Sequence, residues 1–242
     1  NLADNISGFP VYRIDKVLDG VKGNVKNLIF AAVGQKPEIV ISDSINNDIR
    51  IVKHEENCLV YDRTIPNTGL YWADLVSWWA DRNGVSEPNL ETEKQLYVRL
   101  FQTLASPPEK LLFKSYFKCF KDLFDKNFPA LIPQVYLHYD PYTIKQRAGK
   151  AYLPRQRMDF LLLFSNKQRI VLEVDGKQHY SDEDTSSPKK YAEMVQADRE
   201  LKLNGYEVYR FGGYELMDEE AGAKIVKEFF EGLFKKHGVK PS

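Results

Sequence analysis

The feature that most constrains this chain is a pair of apolar runs, RMDFLLLF (157–164) and RIVLEVD (169–175), separated by a short polar stretch. Each is too short and too β-branched or leucine-rich to be a surface helix, and each is nearly continuous in apolar character, as expected of strands buried on both faces. Ser165, Asn166 and Lys167 between them suit a hairpin turn. A long helical pattern precedes the pair and a helix, a strand and another helix follow it. SPPEKLLFKSYFKCFKDLF opens with Ser106 as N-cap and prolines in the first turn. Leu112, Phe113, Tyr116, Phe117, Phe120, Leu123 and Phe124 then recur at helical spacing. IPQVYLHY (132–139) is a strand, PKKYAEMVQADRELKLNG (188–205) a helix ending at Gly205, YEVYRF (206–211) a strand, and AGAKIVKEFFEGLFKKHG (221–238) a closing helix. An antiparallel pair running into a βαβ crossover predicts a four-stranded mixed sheet with helices on both faces, an α/β (α+β) architecture.

The first part of the chain is less regular. PEIVIS (37–42), DIRIV (48–52) and NCLVY (57–61) read as short strands, with SINNDI as a turn between the first two. LYWADLVSWWADR (70–82) reads as a helix with Trp72, Leu75, Trp78 and Trp79 on one face. Breaks at GVSEP (84–88) and ASPP (105–108) flank a helical ETEKQLYVRLFQTL. They divide the 242 residues into an accessory α/β domain over 1–95 and a second domain over 96–242. The chain starts at Asn1 rather than Met, which leaves open a longer parent.

Composition limits the functional classes. Net charge is zero, so any polyanion must be met by a local basic cluster. Cys58 and Cys119 form no CxxC and have no histidine at zinc spacing, so free thiols and a cytoplasmic location are expected. The apolar run LIFAAV (28–33) is too short for a membrane span. GxSxG, P-loop and HExxH motifs are absent.

The chemistry concentrates where the two strands become charged. Asp159 sits near the start of the first. Glu173 and Asp175, two apart on the second, share one face. Folding the pair inward from the turn brings Asp159 towards both. Clustered carboxylates repel unless protons or cations neutralise them. Mg²⁺, or Mn²⁺ in its place, is met by one or two carboxylates plus water and phosphate, so Asp159, Glu173 and Asp175 are the candidate metal ligands. KQRAGKAYLPRQR, leading into Asp159, carries Lys145, Arg147, Lys150, Arg155 and Arg157 with no acid among them, a candidate phosphate-binding run with Tyr142 and Tyr152 beside it for stacking. Lys110, Lys114, Lys118 and Lys121 stripe the helix after Ser106, opposite its aromatic face. That stripe reads either as a solvated surface or, with Lys114, as part of the nucleic-acid contact.

SPPEKLLF, MDFLLLF, VLEVDGKQH and ADRELKLNGYEVYRF together resemble, in that order, the PD-(D/E)XK nuclease superfamily. The likeness is to its branch of very-short-patch-repair-like endonucleases, over about residues 105–217. The resemblance implies a restriction-endonuclease-like core and metal-dependent hydrolysis of DNA phosphodiesters, in a setting of bacterial defence or DNA repair. It implies Glu109 on the opening helix, Asp159, Glu173, Asp175 and His179 as site residues. Glu109 reads equally as a first-turn acid complementing its helix dipole, and Asp198 as a structural acid seeking Arg210 or Lys202. The sequence departs from the superfamily at Asp175, where the E-x-K motif has lysine. Lys177 is then the preferred substitute, with Lys202 or a second metal at Asp175 as alternatives. A catalytically inactive module binding DNA or protein, and a ribonuclease using the same site, are the competing readings. A homodimer, or a protein partner taken by residues 1–95, is compatible with either.

Overall fold

The structure, a computed structural model, describes residues 4–6, 9–11, 28–35, 37–43, 48–136, 157–165, 168–176, 181–182 and 185–241. Its strands and helices in chain order are β1 (Asp4–Ile6), β2 (Phe9–Val11), β3 (Leu28–Phe30), β4 (Glu38–Asp43), β5 (Asp48–Lys53), β6 (Leu59–Tyr61), α1 (Trp72–Arg82), α2 (Leu90–Phe101), α3 (Pro107–Phe124), β7 (Ile132–Tyr136), β8 (Arg157–Leu163), β9 (Arg169–Asp175), β10 (Ser181–Asp182), β11 (Thr185–Ser186), α4 (Pro188–Leu203), β12 (Tyr206–Gly212) and α5 (Glu219–His237).

The expected mixed sheet is present. Its strand order is β12-β9-β8-β7, with β12 parallel to β9 and the other neighbours antiparallel. The parallel step needs a crossover, and α4 supplies it. Gly205, with φ +84°, makes the turn from α4 into β12, a conformation a residue with a Cβ rarely takes.

Side-chain alternation sorts the sheet into two faces. Phe160 and Leu172 are directly paired, as are Leu172 and Tyr209, so they share a face with Phe211. This face meets α3 and α5: Phe113 stacks on Phe160, and Phe229 lies edge-on to Tyr209 and Phe211. Arg210, one residue out of phase, reaches Asp198 of α4 on the other side. Helices therefore flank both faces.

α3 forms because its aromatic positions fall within one stripe. Ser106 caps it by accepting the Glu109 N–H, and Pro107 and Pro108 occupy positions where no amide bond is lost. Phe113, Tyr116, Phe120, Phe128 and Phe230 are almost wholly buried, and the Tyr116 hydroxyl donates to Pro129 O at 2.8 Å. One side chain departs from the expected face: Leu123, in the last turn at the margin of the stripe, is 55% exposed.

The hairpin β4–β5 and strand β6 match the runs read from sequence. LIFAAV turns out to hold a strand. Leu28–Phe30 pairs with β6, and Ala31 N–H donates to Pro133 O of β7 at 2.9 Å, so this pair runs alongside the main sheet. Three apolar residues have no period from which a strand could be recognised. The core is continuous from Leu28 and Phe30 through Trp78, Leu96 and Phe113 to Phe234, and the division drawn at residue 95 falls inside α2. Among the described residues no helix is long and apolar enough to cross a membrane.

Candidate active site where the sheet splits

β8 and β9 are paired from Leu163↔Arg169 to Phe160↔Leu172, and there the pairing stops. Both strands continue. β8 goes on with β7 through Met158↔Val135 and Arg157↔Tyr136, and β9 goes on with β12 as far as Asp175↔Gly212. The sheet thus opens as a wedge between its two central strands. Asp159 sits in the wedge, and its Oδ2 accepts the Val174 N–H at 2.9 Å. A side chain here satisfies an amide that the ladder has given up, a buried donor that would otherwise cost free energy. The same bond fixes the carboxylate beside Glu173, which is fully buried.

Glu109 comes to this end of the sheet from the first turn of α3 and is 6% exposed. Its Oε1 accepts from Ser106 Oγ at 2.8 Å. Its Oε2 accepts from Ala105 N at 3.1 Å and from Gln134 Nε2 at 2.9 Å. Burial pushes its carboxyl above the ordinary range. The Ser106 hydrogen bond pulls it back, the Asp159 charge adds to the rise, and the Ala105 amide and Arg157 oppose it. The influence of Asp159 and Arg157 on Glu109 puts the α3 acid in the same electrostatic site as the strand acid.

Sequence reasoning passed over Gln134. It lies in β7 at the register position opposite Asp159, between the pairs Pro133↔Phe160 and Val135↔Met158. Its φ of 53° is in the left-handed region, it is 1% exposed, and its Oε1 has no hydrogen-bond partner among the described residues. The only advance sign was one polar residue in the otherwise apolar IPQV.

Asp175 is held from the opposite side. Arg210 of β12 donates from Nη1 to Asp175 Oδ1 at 2.6 Å, and from Nε and Nη2 to the two oxygens of Asp198 at 2.9 and 2.7 Å. Burial works against the guanidinium charge, but the hydrogen bonds to Asp198 and Asp175 more than offset it. The Asp198–Arg210 pair follows the sequence reading. The second grip, on Asp175, does not, because it depends on Arg210 being the strand partner of Glu173, two residues short of Asp175.

Arg157 is exposed at the start of β8, and Lys114 is exposed on α3. Lys145, Arg147, Lys150, Arg155, Lys177 and His179, with Tyr142 and Tyr152, lie outside the described residues.

Among the described residues no group of three or more His, Cys, Asp and Glu side chains could hold a metal ion. The arrangement suits a sparser site: the Asp159 carboxylate fixed through one oxygen, Glu173 beside it, and the Gln134 carbonyl nearby. One or two carboxylates with the rest of the shell left to water and phosphate is the usual magnesium environment. No family model matches this chain, and no curated protein or solved structure is significantly similar to it.

Proposed function

We propose that the protein is a metal-dependent DNA endonuclease whose reaction takes place in the wedge between β8 and β9, with a role in bacterial defence or DNA repair. The observation that carries this reading is Asp159 seated on the Val174 amide beside the buried Glu173. Asp159 and Glu173 would hold Mg²⁺ or Mn²⁺. Such an ion, when bound, activates water and neutralises charge on a phosphodiester. The Val174 N–H keeps the Asp159 carboxylate from rotating away, and burial restricts Glu173 to one setting. Glu109, whose carboxyl keeps its proton above the ordinary range, is placed to hold or pass a proton near Asp159. Arg210 supplies a fixed positive charge where the superfamily motif carries lysine, by way of its bond to Asp175. Lys177 and His179 remain the nearest further candidates by sequence, with Lys145, Arg147, Lys150, Arg155 and Arg157 as phosphate contacts.

The same Asp175–Arg210 pair favours a second reading: an inactive module of this fold that binds DNA or protein, its E-x-K position given over to a structural ion pair. Supercoiled plasmid and a folded RNA are each incubated with the protein and Mg²⁺ or Mn²⁺, alongside Asp159→Asn and Glu173→Gln. Metal-dependent relaxed or linear plasmid, lost in both variants, is the expected result. Cleavage of RNA alone transfers the site to a ribonuclease, and intact substrates throughout leave the binding module.

A further inference from the structure

The lysines of α3 do not lie opposite its aromatic stripe. They lie beside it, on the flank turned towards α2: Lys121 pairs with Glu93 of α2 at 2.9 Å, and Lys110 and Lys114 sit 6.0 and 5.6 Å from the Phe101 ring centre. At 100° per residue the positions 110, 114, 118 and 121 centre a quarter-turn from the stripe, and α2 packs along that side.

Between the two helices runs a groove of about 500 Å³ with Trp72, Tyr97 and Phe117 in its lining and Lys94, Lys114 and Lys118 at its rim. Tyr97, in the lining, stacks on Phe101, which lies outside it, with the rings 12° from parallel; Tyr97 is half-buried, so part of its ring remains open to the groove. The lone acid of the lining, Glu93, is already paired with Lys121 and accepts the Trp72 indole N–H at 2.5 Å. Among the described residues Lys94, Lys114 and Lys118 have no carboxylate partner, which leaves the rim with three uncompensated positive charges.

We propose that the α2–α3 groove binds a single-stranded segment of nucleic acid, with a base against Tyr97 and phosphates on Lys94, Lys114 and Lys118. Aromatic surfaces alternating with lysines are what unpaired nucleotides require, because each nucleotide brings one flat face and one negative charge. A duplex keeps its base faces stacked inside and would leave the rings unused. Lys114, Lys118 and Lys121 follow one another over about 10 Å of helix, so the positive track is linear rather than a point. It begins at Lys110, the residue after Glu109. The proposal rests on the nuclease reading for its purpose. It implies a substrate with an unpaired flank rather than a uniform duplex.

Binding is measured by fluorescence anisotropy with labelled oligothymidylate of about 12 nucleotides and a duplex of equal length. The protein carries Glu173→Gln and the buffer contains EDTA, so the outcome is independent of whether the enzyme cuts. Lys114→Ala/Lys118→Ala, at exposed positions, is expected to lower the salt dependence of single-strand binding by about 1.4 in log–log slope, about 0.7 per phosphate contact. Duplex binding is expected to change less. Tyr97→Leu, which keeps the groove apolar, is expected to weaken the single strand at least about fivefold through lost stacking, leaving the slope unchanged. Undetectable single-strand binding by the parent, no change in the variants, or equal losses for single strand and duplex overturn the proposal. Absence of plasmid cleavage, by contrast, leaves it standing and removes only the nuclease reading.

Discussion

Arg210 joins the site to the fold, and its removal should be costly. Arg210→Met retains most of the stem and deletes the guanidinium. Three charge-assisted hydrogen bonds of 2.6–2.9 Å are lost, and two carboxylates, Asp175 and Asp198, are left with side chains only 12% and 18% exposed. Simple addition at about 1.5–3 kcal/mol per charged hydrogen bond overshoots, because water re-enters and one group makes all three. Breaking a buried ion pair by deleting one partner costs about 3–5 kcal/mol, and partial access to solvent points to the lower end, about 3 kcal/mol. That is a large fraction of the roughly 5–15 kcal/mol holding a domain together. Urea unfolding followed by circular dichroism measures it, provided the slope with denaturant is unchanged. In a double-mutant cycle with Asp198→Asn, the two changes should fall short of additivity by at least about 1.5 kcal/mol, since each disables the same contact. A loss under about 1 kcal/mol, or additivity within about 0.5 kcal/mol, would refute the claim that this network fixes the end of β9.

Glu109 gives a pH signature. A carboxyl raised in the folded state binds its proton more tightly there than when unfolded. Stability therefore falls as pH climbs from its ordinary 4.5 towards the raised value, then levels off. Glu109→Gln, which has no proton to lose, should abolish that slope, and urea midpoints measured from about pH 4 upwards test it. Phe120→Ala, at 2% exposure among Tyr116, Phe230 and Phe234, should cost about 3–5 kcal/mol in the same assay, whereas Leu123→Lys, three residues on but exposed, should stay within about 0.5 kcal/mol.

The sequence by itself determined the order of elements from Ser106 onward. Its apolar runs differ in period, and its caps are local: Ser106, the prolines after it and Gly205 act within a turn of where they stand. It also brought Asp159 alongside the end of β9 at Glu173 and Val174, because a hairpin fixes register once its turn is known. Asp198 could be matched to Arg210 for the same reason, the two being separated only by one helix–strand turn. Tertiary structure decided what these residues meet beyond their neighbours. The wedge depends on two central strands parting while each keeps its outer partner, which no single strand encodes. Gln134 acquires its place from the register of β7, and Asp175 is drawn to Arg210 by a parallel pairing that spans 35 residues. The lysine stripe had a clear helical period, but whether it faced water or a groove was decided by α2, which straddles the division at residue 95. Periodicity reports which side of a helix is apolar. It does not report what packs beside that side, because packing is a property of the partner as much as of the helix.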